Sequence, residues 1–296
     1  MKVLVTGKGG QLSWELEQCK PSSIELLNLG IAELDITKLD NVLLTVGSFK
    51  PDVIINAAAY TAVDKAELER NEAFSVNEVG AQNLAFACQK YGARMLHVST
   101  DFVFDGKSTT PHQTDAIPSP INVYGASKLA GDMAVQKILP CSSVIVRTAW
   151  VYSSHGKNFV KTMLRLMSDK PELRVIYDQV GTPTWAKGLA RWLWMVTQQT
   201  KINGLYHWTD AGVASWYDFA IAIQELALEK GLLYKSIPII PISTSEYPTP
   251  AKRPSFSVID KSLAEEVSGI QTVHWRKQLS MMMDEFKANY SSFISG

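Results

Sequence analysis

The chain has 296 residues, 46% of them hydrophobic and 20% charged, so it can bury the core of one large or two moderate domains and is not disordered as a whole. Lys plus Arg and Asp plus Glu number 29 each, a balance that gives no general attraction to nucleic acid or to an anionic membrane. The three cysteines lack the spacing of a zinc site or a redox pair. The chain opens on a strand pattern and has no long apolar run, so we expect a cytoplasmic protein.

Short apolar, β-branched runs alternate with segments of helical periodicity along the first half of the chain. One such helical segment spans residues 66–91. The runs predict five strands at residues 3–6, 24–27, 53–57, 95–99 and 144–147. This alternation predicts an α/β protein, a Rossmann-type doubly wound parallel sheet with helices on both faces. Ligands of such sheets bind beyond the carboxyl ends of the strands.

A glycine-rich loop follows the first predicted strand, in the sequence TGKGGQLSWEL. Gly7 and Gly10 allow a tight turn and a close approach of the backbone to a pyrophosphate, and the following helix offers its N-terminal N–H groups. Ser13 stands where a third glycine would let helix and strand pack closely, and we expect this small residue to be tolerated. The loop predicts dinucleotide binding, because it lies between a strand and a helix.

The choice between NADPH and NADH depends on the end of the second predicted strand. An acidic residue there favours NAD, whereas Asn28 is neutral and neither requires nor excludes a 2′-phosphate. Lys8 could supply a charge for NADP, and the alternative is a solvated loop lysine. The residues themselves therefore leave the choice of nicotinamide cofactor open.

The third and fourth predicted strands end in residues suited to a ribose and to a substrate oxygen. Residues 56–60 read NAAAY, and their small side chains leave room for a flat ribose and nicotinamide. The next strand delivers Ser99, Thr100 and Asp101 to the same edge of the sheet. His97, two residues before Ser99, is expected to be a hydrogen-bonded strand residue rather than a ligand.

The stretch NVYGASKLAG, residues 122–131, places a tyrosine and a lysine four residues apart on a predicted helix. Tyr124 and Lys128 would lie on one face of that helix, where both could reach the same space. The spacing alone is weak evidence, and the alternative is a solvated helix face with an incidental pair. The chain order of hydroxyl, tyrosine and lysine favours a catalytic group.

The second half of the chain predicts a smaller unit. Residues 158–167 read as a helix, residues 173–177 as a strand expected to return to the main sheet, and GLYHWTD and SWYDFAIAIQELA as a strand followed by a helix. We therefore expect a cofactor-binding domain at residues 1–150 and a mainly substrate-binding region at residues 151–296.

Six motifs together resemble the dTDP-4-dehydrorhamnose reductase family, within the extended short-chain dehydrogenase/reductase superfamily. They are TGxxG, NAAAYTAVDKAE, STDFVFDG, NVYGASKLAG, VRTAWVY and YPTPAKRP, and the similarity runs from residue 1 to about residue 254. The combination of the second and last motifs is far more specific than the Tyr/Lys pair. The resemblance implies reduction of a 4-keto sugar nucleotide, the last step of dTDP-L-rhamnose synthesis, with NADPH or NADH as cofactor.

The resemblance also implies roles for individual residues. Tyr124 would protonate the alkoxide that develops at the sugar C4, Lys128 would favour the phenolate and bind the nicotinamide ribose, and Thr100 would donate a hydrogen bond to the carbonyl oxygen. Cofactor contacts are implied for Gly10, Gln11 and Leu12 at the phosphates, Asp35 and Ile36 at the adenine, and Ala59, Tyr60 and Thr61 along the ribose and nicotinamide. Substrate contacts are implied for Asp101, for Trp150 and for Arg253, which with Lys252 could meet the diphosphate of a dTDP-sugar. For Trp150 the alternative is a core residue, and for the basic pair a solvated loop.

Some members of this family dimerise around a magnesium ion held by glutamates. Glu15 matches one ligand, but Lys187 stands where such members have a second glutamate. We therefore expect no metal, and the chain is either a monomer or a homodimer.

Two other functions fit the same motifs. One is a non-catalytic, dinucleotide-binding regulatory subunit of the methionine adenosyltransferase type, and the other is a nucleotide-sugar epimerase that retains its cofactor. The presence of Thr100, Tyr124 and Lys128 together favours the enzyme, although such residues show capability rather than use.

Overall fold

The computed structural model describes residues 1–294 and the side chains of residues 1–288. The strands are β1 (Lys2–Thr6), β2 (Glu25–Leu29), β3 (Val53–Asn56), β4 (Arg94–Thr100), β5 (Ser143–Thr148), β6 (Val151–Tyr152), β7 (Leu173–Ile176), β8 (Val180–Gly181), β9 (Thr184–Trp185), β10 (Gly204–His207), β11 (Ala214–Ser215) and β12 (Ile239–Ile242). The α-helices are α1 (Gln11–Gln18), α2 (Leu39–Phe49), α3 (Val63–Ala66), α4 (Arg70–Phe74), α5 (Ala81–Tyr91), α6 (Val123–Ile138), α7 (Phe159–Asp169), α8 (Ala186–Gln198), α9 (Trp216–Glu229), α10 (Ser262–Ser268) and α11 (Trp275–Ile294).

The main sheet has six strands in the order β2-β1-β3-β4-β5-β10, and every neighbouring pair is parallel. The predicted α/β class and the doubly wound parallel sheet are confirmed, and the five predicted strands correspond to β1–β5 within two residues at each end. The direction of the crossovers reverses between β1 and β3. Ligands of such sheets bind at this switch point, beyond the carboxyl ends of the strands.

Helices cover both faces of the sheet, because its strands are apolar on both sides. On one face, α1 and α8 pack through a cluster that includes Leu12, Leu16, Leu189 and Trp192. On the other, α2, α5 and α6 pack through a second cluster. Both clusters are buried, so the sheet is held between two helical layers and the loops at its edge rest on a rigid base.

A third core lies outside the main sheet and is built by α7, α9, α11 and the small sheet of β7 with β12. The prediction that residues 173–177 return to the main sheet is wrong. Strand β7 pairs with β12, because the apolar residues of both strands are buried against α9. The strand that returns to the main sheet is β10, which pairs with β5.

The predicted helix at residues 66–91 is divided into α3, α4, a π-helical segment at Ser75–Gly80, and α5. Between α3 and α4, the Glu67 carboxylate accepts a hydrogen bond of 2.9 Å from the backbone N–H of Val123 at the start of α6. In the π-helical segment, Asn77 bonds the backbone of Tyr60 and the Ser127 hydroxyl. These contacts tie the two interruptions of the predicted helix to α6 and to the segment after β3.

Across residues 1–294, no helix combines the length and the apolar character needed to cross a membrane. The final two residues of the predicted substrate-binding region, 295 and 296, lie outside the described residues.

Candidate active site

The glycine-rich loop stands at the switch point of the sheet, between the ends of β1 and β3. Gly7 has a left-handed backbone with φ of 83°, and a Cβ atom at this position would lie 2.8 Å from the carbonyl oxygen of Ala57. Only glycine therefore lets the end of β1 approach the segment after β3 so closely. The loop then turns into α1 through a 3.0 Å hydrogen bond from the Gly10 N–H to the Gly7 carbonyl.

The N-terminus of α1 is suited to a phosphate group. The first turn of this helix contains no acidic residue, and its N-terminal residue Gly10 offers no side chain to cap the free N–H groups. These groups and the helix dipole favour an anion. The glycine-rich loop and the uncapped start of α1 therefore fit the pyrophosphate of a dinucleotide.

Ser13 takes a structural role in place of the third glycine. Its hydroxyl donates a 2.8 Å hydrogen bond to the amide oxygen of Asn28, and the Asn28 amide donates to Glu17 at 3.2 Å. Serine is tolerated, as predicted, because it ties α1 to the end of β2. Asn28 is engaged in this contact and does not line the cleft described next.

One cleft of about 910 Å³ opens along the carboxyl edge of the sheet. It brings together all the predicted site residues except Asn28 and the pair of Lys252 and Arg253. The predicted residues that line it are Gly7, Gly10, Gln11, Leu12, Asp35, Ile36, Ala59, Tyr60, Thr61, Thr100, Asp101, Tyr124, Lys128 and Trp150. Lys8 also lines the cleft, and its ammonium nitrogen lies 3.6 Å from Oε1 of Glu33.

Helix α6 places Tyr124 in the cleft because two of its glycines let it pack unusually close. Asn122 caps the helix by accepting a 2.7 Å hydrogen bond from the Gly125 N–H. A Cβ at Gly125 would collide with the carbonyl oxygen of Phe102, and one at Gly131 with the carbonyl oxygen of Asn77. The small residues around Tyr124 therefore bring its helix against the segment that carries Thr100 and Asp101.

The Tyr124 hydroxyl lies beside Thr100 and Asp101. Burial raises the pKa of Tyr124 to about 12, a hydrogen bond with Thr100 lowers it, and the charges of Asp101 and Asp132 raise it further. Burial likewise raises the pKa of Asp101 to about 6, against hydrogen bonds from Ser257 and Thr100. In the protein alone the phenol is therefore protonated at neutral pH.

Lys128 is almost fully buried, with 2% of its surface exposed. Its ammonium donates a 2.7 Å hydrogen bond to the carbonyl oxygen of Val98. Burial lowers the pKa of Lys128 to about 8, and the charge of Asp132 raises it. The lysine is thus held by β4 and is not an incidental surface residue.

Comparison with known proteins decides the family. Residues 1–288 match the family model described as the RmlD substrate binding domain. The chain is 42% identical, over 94% of its own length and 97% of the relative's, to the dTDP-4-dehydrorhamnose reductase of Aggregatibacter actinomycetemcomitans. The chain belongs to the dTDP-4-dehydrorhamnose reductase family.

Two solved structures of this reductase family show the same architecture. The dTDP-4-dehydrorhamnose reductase ortholog of Clostridium acetobutylicum is 39% identical with a TM-score of 0.91, covering 97% of this chain and 100% of that one. The enzyme of Bacillus anthracis, solved in complex with NADP, is 35% identical with a TM-score of 0.90, covering 96% and 99%. The likeness spans both the main sheet and the second half of the chain.

Two stacked tryptophans, Trp150 and Trp216, line the cleft. The rings of Trp150 and Trp216 are 3.5 Å apart and nearly parallel, and Trp150 has a left-handed backbone with φ of 46°. A Cβ at Gly181 would lie 2.7 Å from the Trp150 ring. Trp150 is therefore a half-buried wall residue rather than a core residue, and Trp216 is a site residue that the sequence reasoning missed. The motif SWYDF could have indicated Trp216, because it places a tryptophan where a strand ends and a capped helix begins.

Arg253 lines a second cavity, of about 390 Å³, that shares Trp216 with the main cleft. Its guanidinium forms a bidentate ion pair with the Asp64 carboxylate, with hydrogen bonds of 3.0 and 2.7 Å. Phe159, Tyr247 and Gln179 also line this cavity. Arg253 is thus fixed in a cavity wall, whereas Lys252 is exposed.

The residues that hold magnesium in some members of the reductase family do not fit a metal ion here. Lys187 forms an ion pair with Glu285, and the buried Glu15 accepts hydrogen bonds from Ser153 at 2.7 Å and from the Trp185 ring at 3.1 Å. Lys187 thus places a positive charge beside the carboxylates of Glu15 and Glu285, which disfavours a metal ion there. Where side chains are described, no group of three or more His, Cys, Asp or Glu is placed to hold a metal.

Proposed function

We propose that this protein reduces the C4 keto group of dTDP-4-dehydro-6-deoxy-L-mannose to give dTDP-L-rhamnose, with NADPH as the preferred reductant and NADH as an alternative. The observation that carries the proposal is that Thr100, Tyr124 and Lys128 line one cleft together with the glycine-rich loop at the switch point of the sheet. Membership of the reductase family supports it, as does the complex of the Bacillus anthracis relative with NADP.

The residues of the cleft suit a reduction that needs one proton. NADPH, when bound, supplies a hydride to the sugar C4. Tyr124 donates its proton to the C4 oxygen as negative charge develops there, and its pKa of about 12 keeps the phenol protonated at neutral pH. The Thr100 hydroxyl, now 3.1 Å from the Asp101 carboxylate, can turn to the same oxygen. Lys128 contributes a positive charge and a donor for the nicotinamide ribose.

The cofactor would lie along the main cleft. Gly7, Gly10, Gln11 and Leu12 would hold the cofactor phosphates, with Asp35 and Ile36 beside the adenine. The ribose and nicotinamide would pass along Ala59, Tyr60 and Thr61.

The sugar would lie between Asp101 and the Trp150 ring, since an aromatic face suits the apolar face of a deoxy sugar. The diphosphate and nucleoside would extend past Trp216 into the second cavity, toward Arg253. Asn28 would act on the cofactor only through Ser13, because its side chain is bonded to α1.

Turnover tests the function directly. The keto-sugar is generated in place by the preceding enzymes, NADPH or NADH is supplied separately, and nicotinamide absorbance and the sugar product are followed. Consumption of NADPH with formation of dTDP-L-rhamnose supports the proposal. Cofactor binding without consumption contradicts it for this substrate, and copurified, non-exchanging NAD would indicate an epimerase instead.

Arg253 is expected to contribute to substrate affinity rather than to the chemical step. A charge-assisted hydrogen bond to phosphate is worth about 1.5–3 kcal/mol, so Arg253→Met should raise the KM for the dTDP-sugar by about tenfold or more with little change in kcat. Lys252→Met is the matched control, because this neighbouring lysine is exposed. An unchanged KM in Arg253→Met would remove Arg253 from the substrate site.

The division near residue 150 follows the cofactor, whose contacts would all lie before it, whereas the substrate would be held from both sides, by Thr100, Asp101 and Tyr124 before it and by Arg253 after it. A cytoplasmic location suits the three cysteines, which are all free. The protein acts as a monomer or a homodimer, and Lys187 removes the reason for a metal-linked dimer.

A further inference from the structure

A buried carboxylate lies one helical turn beyond Lys128, on the same face of α6. Asp132 is only 4% exposed. Tyr124, Lys128 and Asp132 follow one another at intervals of four residues, which places all three on one stripe of the helix. A buried charge is costly unless it is paired, so this carboxylate needs an explanation.

Charged and polar groups from three elements face Asp132. From β4, the Ser99 hydroxyl donates a 2.9 Å hydrogen bond to Oδ2, and His97 Nε2 lies 3.5 Å from Oδ1. From β5, Arg147 Nε lies 3.4 Å from Oδ2. From α6 itself, Lys128 acts on the carboxylate through its charge. Burial raises the pKa of Asp132, and the charges of Arg147 and Lys128 act against that rise.

The orientation of His97 is fixed by a chain of hydrogen bonds that starts at the glycine-rich loop. The Thr6 hydroxyl donates to the Asn56 amide oxygen at 2.7 Å, and the Asn56 amide nitrogen lies 3.0 Å from His97 Nδ1. Because the amide nitrogen is a donor, Nδ1 accepts, and the ring proton is on Nε2, facing Asp132. Burial and the charge of Lys128 lower the pKa of His97 well below its usual value, so the ring is neutral.

From this geometry we infer that Asp132 is a positioning residue for the reduction, which keeps the buried Lys128 protonated at neutral pH through its negative charge. The inference rests on the proposed function. Asp132 does not line the main cleft, so it acts through Lys128, which does. Ser99, His97 and Arg147 hold the carboxylate in place and ionised, which prevents it from rotating away from the lysine.

The electrostatics of Lys128 agree with this role. Burial brings its pKa down to about 8, and the charge of Asp132 acts in the opposite direction. A lysine with a lowered pKa is fully charged below that value and loses its charge as pH rises through it. Without the carboxylate the pKa of Lys128 falls further, so the lysine would be partly neutral at pH 7.

The test is Asp132→Asn, which keeps the shape and removes the charge. The pH profile of kcat/KM and the pH dependence of NADPH affinity, measured by nicotinamide fluorescence, are compared with wild type. In both, the alkaline limb should move down by about one pH unit or more, a loss of about fivefold or more at pH 8. Asp132→Glu, which retains the charge, should return the limb toward the wild-type position. Limbs that coincide in wild type and Asp132→Asn would overturn the inference.

A second measurement applies if Asp132→Asn does not fold. Wild type labelled with 13C-lysine reports the ionisation of Lys128 through its Cε shift, with the signal assigned by its absence from Lys128→Arg. The inference requires a protonated Lys128 at pH 7, and a neutral one overturns it. The affinity and labelling measurements use no sugar substrate, so failure of the proposed reaction is distinguishable from failure of this inference.

Discussion

Replacement of Tyr124 by phenylalanine should lower kcat by about 10²–10⁴-fold, the range that a positioned general acid contributes. The substitution removes one oxygen atom from the cleft and leaves the ring, whose edge-to-face contact with Phe102 at 5.6 Å is retained. NADPH affinity and the melting temperature should therefore stay close to those of wild type. The measurements are kcat with the keto-sugar, fluorescence titration with NADPH, and thermal unfolding.

Two results would contradict this assignment of the acid. A Tyr124→Phe enzyme with kcat within a few-fold of wild type would show that another group supplies the proton, and Thr100 or Asp101 would be the next residues to test, because both lie beside the phenol. A loss of NADPH binding equal to the loss of kcat would assign Tyr124 to binding. Tyr91→Phe, on α5 and outside the cleft, controls for removal of a tyrosine hydroxyl elsewhere.

Adding a single methyl group at Gly125 should lower kcat nearly as much as Tyr124→Phe, for a steric reason. In Gly125→Ala the added Cβ meets the backbone carbonyl of Phe102, which cannot rotate aside, and also lies 3.1 Å from the Pro120 ring. Overpacking of this kind costs about 1–3 kcal/mol of folding free energy. Helix α6 must also move away from the segment that carries Thr100, and a displacement of about 1 Å can cost about 10²-fold in rate.

Gly47→Ala is the matched control for this substitution. Gly47 also lies inside a helix, but an added Cβ there meets the side chain of Tyr91, which is 40% exposed and can move. We expect unchanged turnover and a stability equal to or slightly above wild type, because alanine favours the helix by up to about 1 kcal/mol over glycine. Equal effects of the two substitutions on kcat would show that the close approach at Gly125 does not position Tyr124.

The parts of the site that the sequence predicted are those carried by local pattern and chain order. A strand followed by a glycine-rich turn and a helix, or a tyrosine four residues before a lysine, has its geometry set by neighbours in the chain. The ends of β1, β3 and β4 meet at one edge because the sheet is parallel, so residues 7–12, 59–61 and 100–101 had to be close together. The cleft confirms that these segments share one space.

The parts that sequence reasoning missed depend on tertiary partners. The apolar residues of β7 suit any buried strand, and only packing against α9 decides that β12 is its neighbour. Asp132 reads as a surface charge until α6 is laid against β4 and β5. The pKa of Tyr124 depends on burial, which no spacing reveals.

The return of β10 to the main sheet limits how this protein can be recombined with its relatives. A fragment ending near residue 150 would leave β5, buried along its whole length, as the edge of the sheet, with unpaired backbone groups that promote aggregation. It would also lose α8, which covers Leu12 and Leu16. A chimera designed to exchange sugar specificity should therefore keep residues 186–207 with the cofactor-binding half and replace the segments on either side of them.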